Sequence, residues 1–159
     1  MCPGLLVKPL SAGGDMRSDE PGPSRGRILL IDDDRVFGIW VAHVVAKRGG
    51  YEFRHIMDPL TGLRCVETEP WDLVITDMEM PGMTGLELIE RVHLCEPGLP
   101  VAVMTAHASL RGLIPAQRSV DAEFLHKPMP ADDFLERVAV LVAHGQAARR
   151  RKGEGKGEG

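Results

Sequence analysis

The chain has 159 residues, 43% of them apolar and 26% charged. That is the length and make-up of one ordinary globular domain. It excludes a collagen-like, wholly disordered or disulfide-scaffold chain, and no apolar run nears the ~18 residues of a membrane span. Net charge is -4, unevenly placed: residues 27–144 carry eleven Lys/Arg against eighteen Asp/Glu, whereas residues 145–159 carry five against two. An acidic body argues against direct nucleic-acid binding, which needs Lys/Arg clustered on the fold. The basic run Arg149-Arg150-Arg151-Lys152 reads as a solvated tail, with contact to phosphate or an acidic partner as the other reading.

Cys2, Cys65 and Cys95 are odd in number and widely spaced, with no CxxC or zinc pattern. They fit a reducing compartment, with Cys65 and Cys95 as packing residues. No secretory signal opens the chain, so a cytoplasmic setting is the default.

Residues 1–26 hold Pro3, Pro9, Ser11, Gly13-Gly14 and Pro21-Gly22-Pro23-Ser24 without sustained periodicity, and read as a flexible N-terminal arm. Ile28–Ile31 is wholly apolar, as for a parallel strand buried on both faces. Val36, Trp40 and Val44, beside Phe37, Val41 and Val45, recur at i+4 and predict a helix that Gly49-Gly50 ends. Tyr51–Ile56 is a second strand. Asp58-Pro59 supplies an N-cap and a first-turn proline for a helix to about Glu67. Leu73–Thr76 is the third strand. Thr84-Gly85-Leu86-Glu87 is a capping box opening a helix with Leu86, Ile89 and Val92 on one face. Pro100–Met104 is the fourth strand, and a weaker helix follows at about 108–118, with Pro115 inside it or ending it. Ala122–His126 is the fifth strand. Pro130-Ala131-Asp132-Asp133 opens a last helix with Phe134, Val138, Leu141 and Val142 as its apolar face. The Gly-rich end of residues 145–159 reads as a basic, disordered tail.

Five strands alternating with five helices over residues 27–144 predict an α/β domain with a doubly wound, five-stranded parallel sheet. In such sheets ligands sit at the carboxyl ends of the strands. The first strand ends in Asp32-Asp33-Asp34, the third in Asp77, the fourth in Thr105-Ala106 and the fifth in Lys127-Pro128. Two carboxylates at about 4 Å repel by roughly 4 kcal/mol at an effective dielectric near 20. A hard divalent cation relieves that conflict, and Mg²⁺ suits an open cluster of carboxylate oxygens. With a hydroxyl from Thr105 and a point charge from Lys127, the set suits phosphoryl transfer, which depends on positioning and charge neutralisation. A remaining carboxylate can act as the nucleophile and become an aspartyl phosphate.

The stretches ILLIDDD, DLVITDMEMPGMTGLEL, VAVMTA and EFLHKP, in this order and strand context, resemble the receiver domain of two-component response regulators. The resemblance covers residues 27–144. It implies a (βα)5, flavodoxin-like receiver fold that takes a phosphoryl group from a histidine kinase or phosphotransfer protein and signals to a protein partner. By resemblance, Asp77 is the phosphoacceptor, Asp33 binds Mg²⁺ directly, Asp32 does so largely through water, and Glu79 lends a backbone carbonyl. Thr105 matches the switch hydroxyl, Lys127 the phosphoryl-contacting lysine and Phe124 the aromatic switch, a plain core aromatic being the other reading of Phe124. The Lys127-Pro128 bond is often cis in the family. By the same resemblance His107 falls at a position that modulates dephosphorylation, an exposed spectator being its other reading, and Glu79 is a second candidate modulator through its side-chain charge. Asp34 has no family role and reads as a solvated or helix-capping acid.

Such a chain is no metabolic enzyme; it promotes only its own phosphorylation and dephosphorylation. It reads either as a stand-alone receiver or as a piece of a longer regulator. Pro115 and Val120-Asp121 depart from the family pattern and put dimerisation through the fourth-helix face in doubt. Two other readings compete. A haloacid-dehalogenase-type phosphatase would use Asp32 as nucleophile and Asp34 as acid, but leaves Asp77 without a task. A receiver-like module that never carries phosphate would usually lack one of the acids, the hydroxyl or the lysine. His107 and His126 show no metal-ligand spacing.

Overall fold

The wholly apolar run at Ile28–Ile31 makes sense only if both faces of its strand are covered. In the computed structural model, which describes residues 3–8, 24–106 and 121–155, Ile28 and Leu30 pack into one core while Leu29 and Ile31 pack into another across the sheet. The strands are β1 (Leu5–Val7), β2 (Arg27–Ile31), β3 (Glu52–Ile56), β4 (Leu73–Asp77), β7 (Val101–Thr105) and β8 (Glu123–His126), with a short ribbon of β5 (Glu79–Met80) and β6 (Met83–Thr84) between β4 and β7. The helices are α1 (Arg35–Ala42, continuing through His43–Arg48), α2 (Pro59–Thr68), α3 (Gly85–Cys95) and α4 (Ala131–Glu154). The main sheet has the order β1-β3-β2-β4-β7-β8. All its pairings are parallel except β1 with β3.

The expected parallel sheet is therefore present, with helices on both faces. The predicted helix at 108–118, with Pro115, lies outside the described residues, as do Cys2 and His107. One core joins α1 and α4 through Val41, Phe53, Ile75, Phe134 and Val138; the other joins α2 and α3 through Val66, Val74, Leu88, Ile89 and Val103. Where α1 meets the β3 turn, its last turns widen to π-helical bonding, and Gly49 N–H donates to the Val44 carbonyl at 3.0 Å. No helix among the described residues is long and apolar enough to cross a membrane. Cys65 is buried and Cys95 is half-buried, and neither is in a disulfide among the described residues.

Two expectations are corrected. Residues 1–26 are not solely a flexible arm: Leu5–Val7 adds an antiparallel edge strand to β3, with Leu5 opposite His55 and Val7 opposite Phe53. Three apolar residues are too few to signal a strand alone, and it is the open edge of β3 that recruits them. Gly4, at φ +128°, makes the approach possible, since a Cβ there would lie 2.4 Å from Ile56 Cδ1.

The chain from 145 is also not a disordered tail throughout, because α4 runs unbroken to Glu154. Gly145, which looks like a breaker, lies so close to the base of β4 that a Cβ would fall 1.9 Å from the Asp72 carbonyl. Arg149 pairs with Asp72 at 2.6 Å, Lys152 pairs with Glu96 at 2.8 Å, and Gln146 donates to the Arg25 carbonyl at 2.8 Å. Contacts from the body hold these last turns helical.

Candidate functional site

The loop after β2 is locked by its own acids. Asp34 caps α1, its carboxylate accepting from the N–H groups of Val36 (2.9 Å) and Phe37 (3.1 Å). Of its two readings from sequence, solvated or capping, this is the capping one. Asp34 N–H in turn donates to Asp32 Oδ1 at 2.8 Å. Asp32 is fully buried, and its other oxygen meets Lys127 Nζ at 3.0 Å. A carboxylate that far from water needs such partners. Asp33 is exposed and points the site toward solvent.

Asp77 ends β4, half-buried. Its Oδ1 accepts from Met78 N–H at 2.9 Å and lies 3.7 Å from Lys127 Nζ. Burial pushes its carboxyl pKa up. Lys127 opposes that rise, while the Asp32 and Asp33 charges add to it. Carboxylate oxygens of Asp32, Asp33 and Asp77 all lie within 4.8 Å of one another. Among the described residues, the Lys127 ammonium alone is paired with these three acids, so the group keeps an excess of negative charge. This all-oxygen, open donor set fits Mg²⁺.

Lys127 follows β8, and its bond to Pro128 is cis. Its ammonium also lies 3.9 Å from the centre of the Phe37 ring, a cation–π contact that pins it from the α1 side. Thr105 ends β7 with 3% of its surface exposed. Asp77 pairs with Met104 on that strand, so Thr105 lies one residue beyond Asp77 at the same rim, and its carbonyl accepts from Lys127 N–H at 2.8 Å. Phe124 lies opposite Val103, half-buried against the α2/α3 core. Glu79 is exposed in the β5–β6 ribbon, opposite Thr84. His126 is exposed at the end of β8 and is not among the acids that could hold a metal in the described residues.

Three participants escaped the sequence reading. The sequence marks Phe37 only as part of a helix face. His55 Nε2 lies 2.7 Å from the Asp32 carbonyl, and nothing in a strand's alternation announces that contact. Gly85 donates to the Met78 carbonyl at 2.7 Å, and a Cβ there would come within 2.6 Å of the Asp77 carbonyl, so α3 begins hard against the Asp77 loop. The one available signal was Gly38, a glycine inside a helical pattern, which usually has a packing reason.

The response regulator receiver domain family matches residues 28–139. The response regulator FleR of Pseudomonas aeruginosa is 34% identical over 113 residues, covering 71% of this chain and 24% of FleR. The DNA-binding transcriptional regulator NtrC of Escherichia coli is 29% identical over 122 residues, covering 77% of this chain and 26% of NtrC. Among solved structures, a CheY-like receiver domain from Methanospirillum hungatei superposes with a TM-score of 0.69 at 29% identity, covering 78% of this chain and 98% of the other. The apo receiver domain of nitrogen regulatory protein C gives 0.69 at 27% identity, covering 78% and 99%. The chain belongs to the response regulator receiver family and carries the receiver domain of two-component signalling. It spans about a quarter of the length of the curated relatives it matches.

Proposed function

We propose that this receiver takes a phosphoryl group on Asp77 from a phosphohistidine of a histidine kinase or phosphotransfer protein, with Mg²⁺, and signals to a protein partner by changing conformation. The observation that carries the reading is the convergence of Asp32, Asp33 and Asp77 within 4.8 Å, with Lys127 at 3.0 Å from Asp32 and 3.7 Å from Asp77. Asp32, Asp33, Asp77 and the Glu79 carbonyl would hold the cation. When bound, Mg²⁺ offsets the excess negative charge and draws in a phosphoryl oxygen.

In the transfer, an Asp77 carboxylate oxygen attacks phosphorus and the P–N bond of the donor breaks. The electron pair goes to the imidazole nitrogen, which takes a proton from water. The product is an acyl phosphate, and later attack of water on phosphorus returns the carboxylate and inorganic phosphate. Lys127, already between Asp32 and Asp77, stabilises the phosphoryl oxygens. Thr105 donates its hydroxyl to them, and Phe124 follows its movement. His107 and Glu79 tune the hydrolysis. Preferential binding of the phosphoryl group by the switched arrangement shifts the population toward it.

The exposed apolar residues Val36 (77%) and Ile39 (65%), on the helix that starts at the acid loop, support docking of the phosphodonor beside the site. Cys65 and Cys95, neither of them in a disulfide among the described residues, support a cytoplasmic setting. Output through protein contacts is supported by the acidic body and by the commitment of Arg149 and Lys152 to Asp72 and Glu96. Two features weigh against the phosphatase reading: Asp32 is fully buried, and the Asp34 carboxylate is engaged as a helix cap.

Acetyl phosphate with Mg²⁺ and intact-mass analysis test the proposal. One phosphoryl group per chain is expected, lost on Asp77→Asn and on chelation of Mg²⁺. Labelling that persists in D77N, or multiple-turnover phosphate release that depends on Asp32, overturns it.

A further inference from the structure

We propose that His55 is a positioning residue for the acidic pair: by gripping the peptide that joins Asp32 to Asp33, it sets the affinity of the carboxylate group for Mg²⁺. The inference rests on the proposed reading of these carboxylates as a cation site.

Asp33 is exposed, so its direction follows from the main chain more than from packing. That main chain is held from β3 on both sides of Asp32. The Asp32 N–H donates to the Ile56 carbonyl at 3.1 Å, and the Asp32 carbonyl lies 2.7 Å from His55 Nε2. A carbonyl can only accept, so Nε2 carries the hydrogen and donates it. His55 is itself fixed on both flanks of its strand, opposite Leu30 of β2 and Leu5 of β1.

Gly38 makes room for the ring. It sits in the first turn of α1, where its N–H donates to the Asp34 carbonyl at 3.0 Å. A Cβ at this position would lie 2.2 Å from His55 Nδ1 and 2.3 Å from Cε1. Glycine inside a helix is less stable than alanine, so its presence here has a counterpart: the imidazole occupies the space a side chain would take. The two residues together join β3, α1 and the acid loop. Groups that orient metal ligands from behind typically change metal affinity by about 10- to 100-fold when removed.

Mg²⁺ titration by isothermal calorimetry on the full chain separates the outcomes, with thermal melting to verify folding. The Kd is expected to rise about tenfold in His55→Leu, which has no donor. It should stay near the wild-type value in His55→Gln, whose amide reaches the same carbonyl. It should rise in Gly38→Ala, where the donor remains but the ring is displaced. Packing alone would instead lower Tm alike in H55L and H55Q and leave Kd unchanged. Wild-type affinity in H55L, or affinity as weak in H55Q as in H55L, overturns the proposal. Should H55L not fold, G38A decides: an unchanged Kd refutes the role. A wild-type chain that binds no Mg²⁺ refutes the cation site itself, a result distinct from variants that match a binding wild type.

Discussion

Asp77 is a carboxylate held where charge is costly. Burial is the main force raising its pKa, with the Asp32 and Asp33 charges behind it and Lys127 only partly offsetting them. A carboxyl whose folded pKa lies above its unfolded value binds more protons folded than unfolded, so ionising it weakens the fold. Asp77 thus stabilises least at neutral pH, and the penalty disappears as pH falls below the ordinary carboxylate range. Asp77→Asn should melt at a higher temperature than wild type at pH 7. The two melting temperatures should converge as pH is lowered toward 3, in calorimetric scans without Mg²⁺. Asp32, Asp33, Asp77, Thr105 and Lys127 could be located from sequence because each closes an apolar strand, and parallel strands deliver their ends to one rim. The ring of Phe37 under the Lys127 ammonium could not, because a helix pattern shows which face is apolar but not what that face meets.

Local chemistry governs the helix starts. Thr84 and Glu87 form the reciprocal cap legible in the sequence: Thr84 Oγ1 accepts from Glu87 N–H at 3.2 Å and Glu87 Oε2 accepts from Thr84 N–H at 2.8 Å. The Thr84 backbone bond holds the Glu87 carboxyl below its usual range. Its contribution is present above the ordinary glutamate pKa and fades as pH falls through the lowered value. Thr84→Ala should cost about 1 kcal/mol, read as a lower urea midpoint with unchanged slope. Because α3 begins against the Asp77 loop, slower phosphorylation by acetyl phosphate should accompany the loss. Asp58 caps α2 in the same way, accepting from Thr61 N–H at 2.8 Å, with Pro59 at the first helical position.

Across the molecule, the end of α4 joins the base of the sheet to the last turns of the chain. Asp72 precedes β4, is nearly buried, and accepts from Arg27 N–H at 2.8 Å as well as from Arg149. Arg149→Ala leaves that carboxylate short of a partner and should destabilise by about 2 kcal/mol. Amide exchange should quicken over residues 145–154 and stay unchanged in α1. If exchange there matches wild type, the ion pair does not hold the helix end. The same contacts favour the acidic-partner reading of the basic run over the solvated one. Two of its four cations face carboxylates of the body, and a charge run by itself shows no such partner.

Short-range pattern carries the parallel strands, the helix caps and the rim of acids, hydroxyl and lysine, because hydrophobic period, cap chemistry and strand ends are properties of a few neighbouring residues. The edge strand at Leu5–Val7, the helical turns beyond Gly145 and the grip of His55 on Asp32 belong to the folded body. Each depends on a partner distant in sequence: Leu5 lies opposite His55, Arg149 and Asp72 stand 77 residues apart, and His55 and Asp32 stand 23 apart. A glycine reads as a breaker until the chain that passes over it is in place. A three-residue apolar run is too short to be a strand until an open sheet edge supplies its hydrogen bonds.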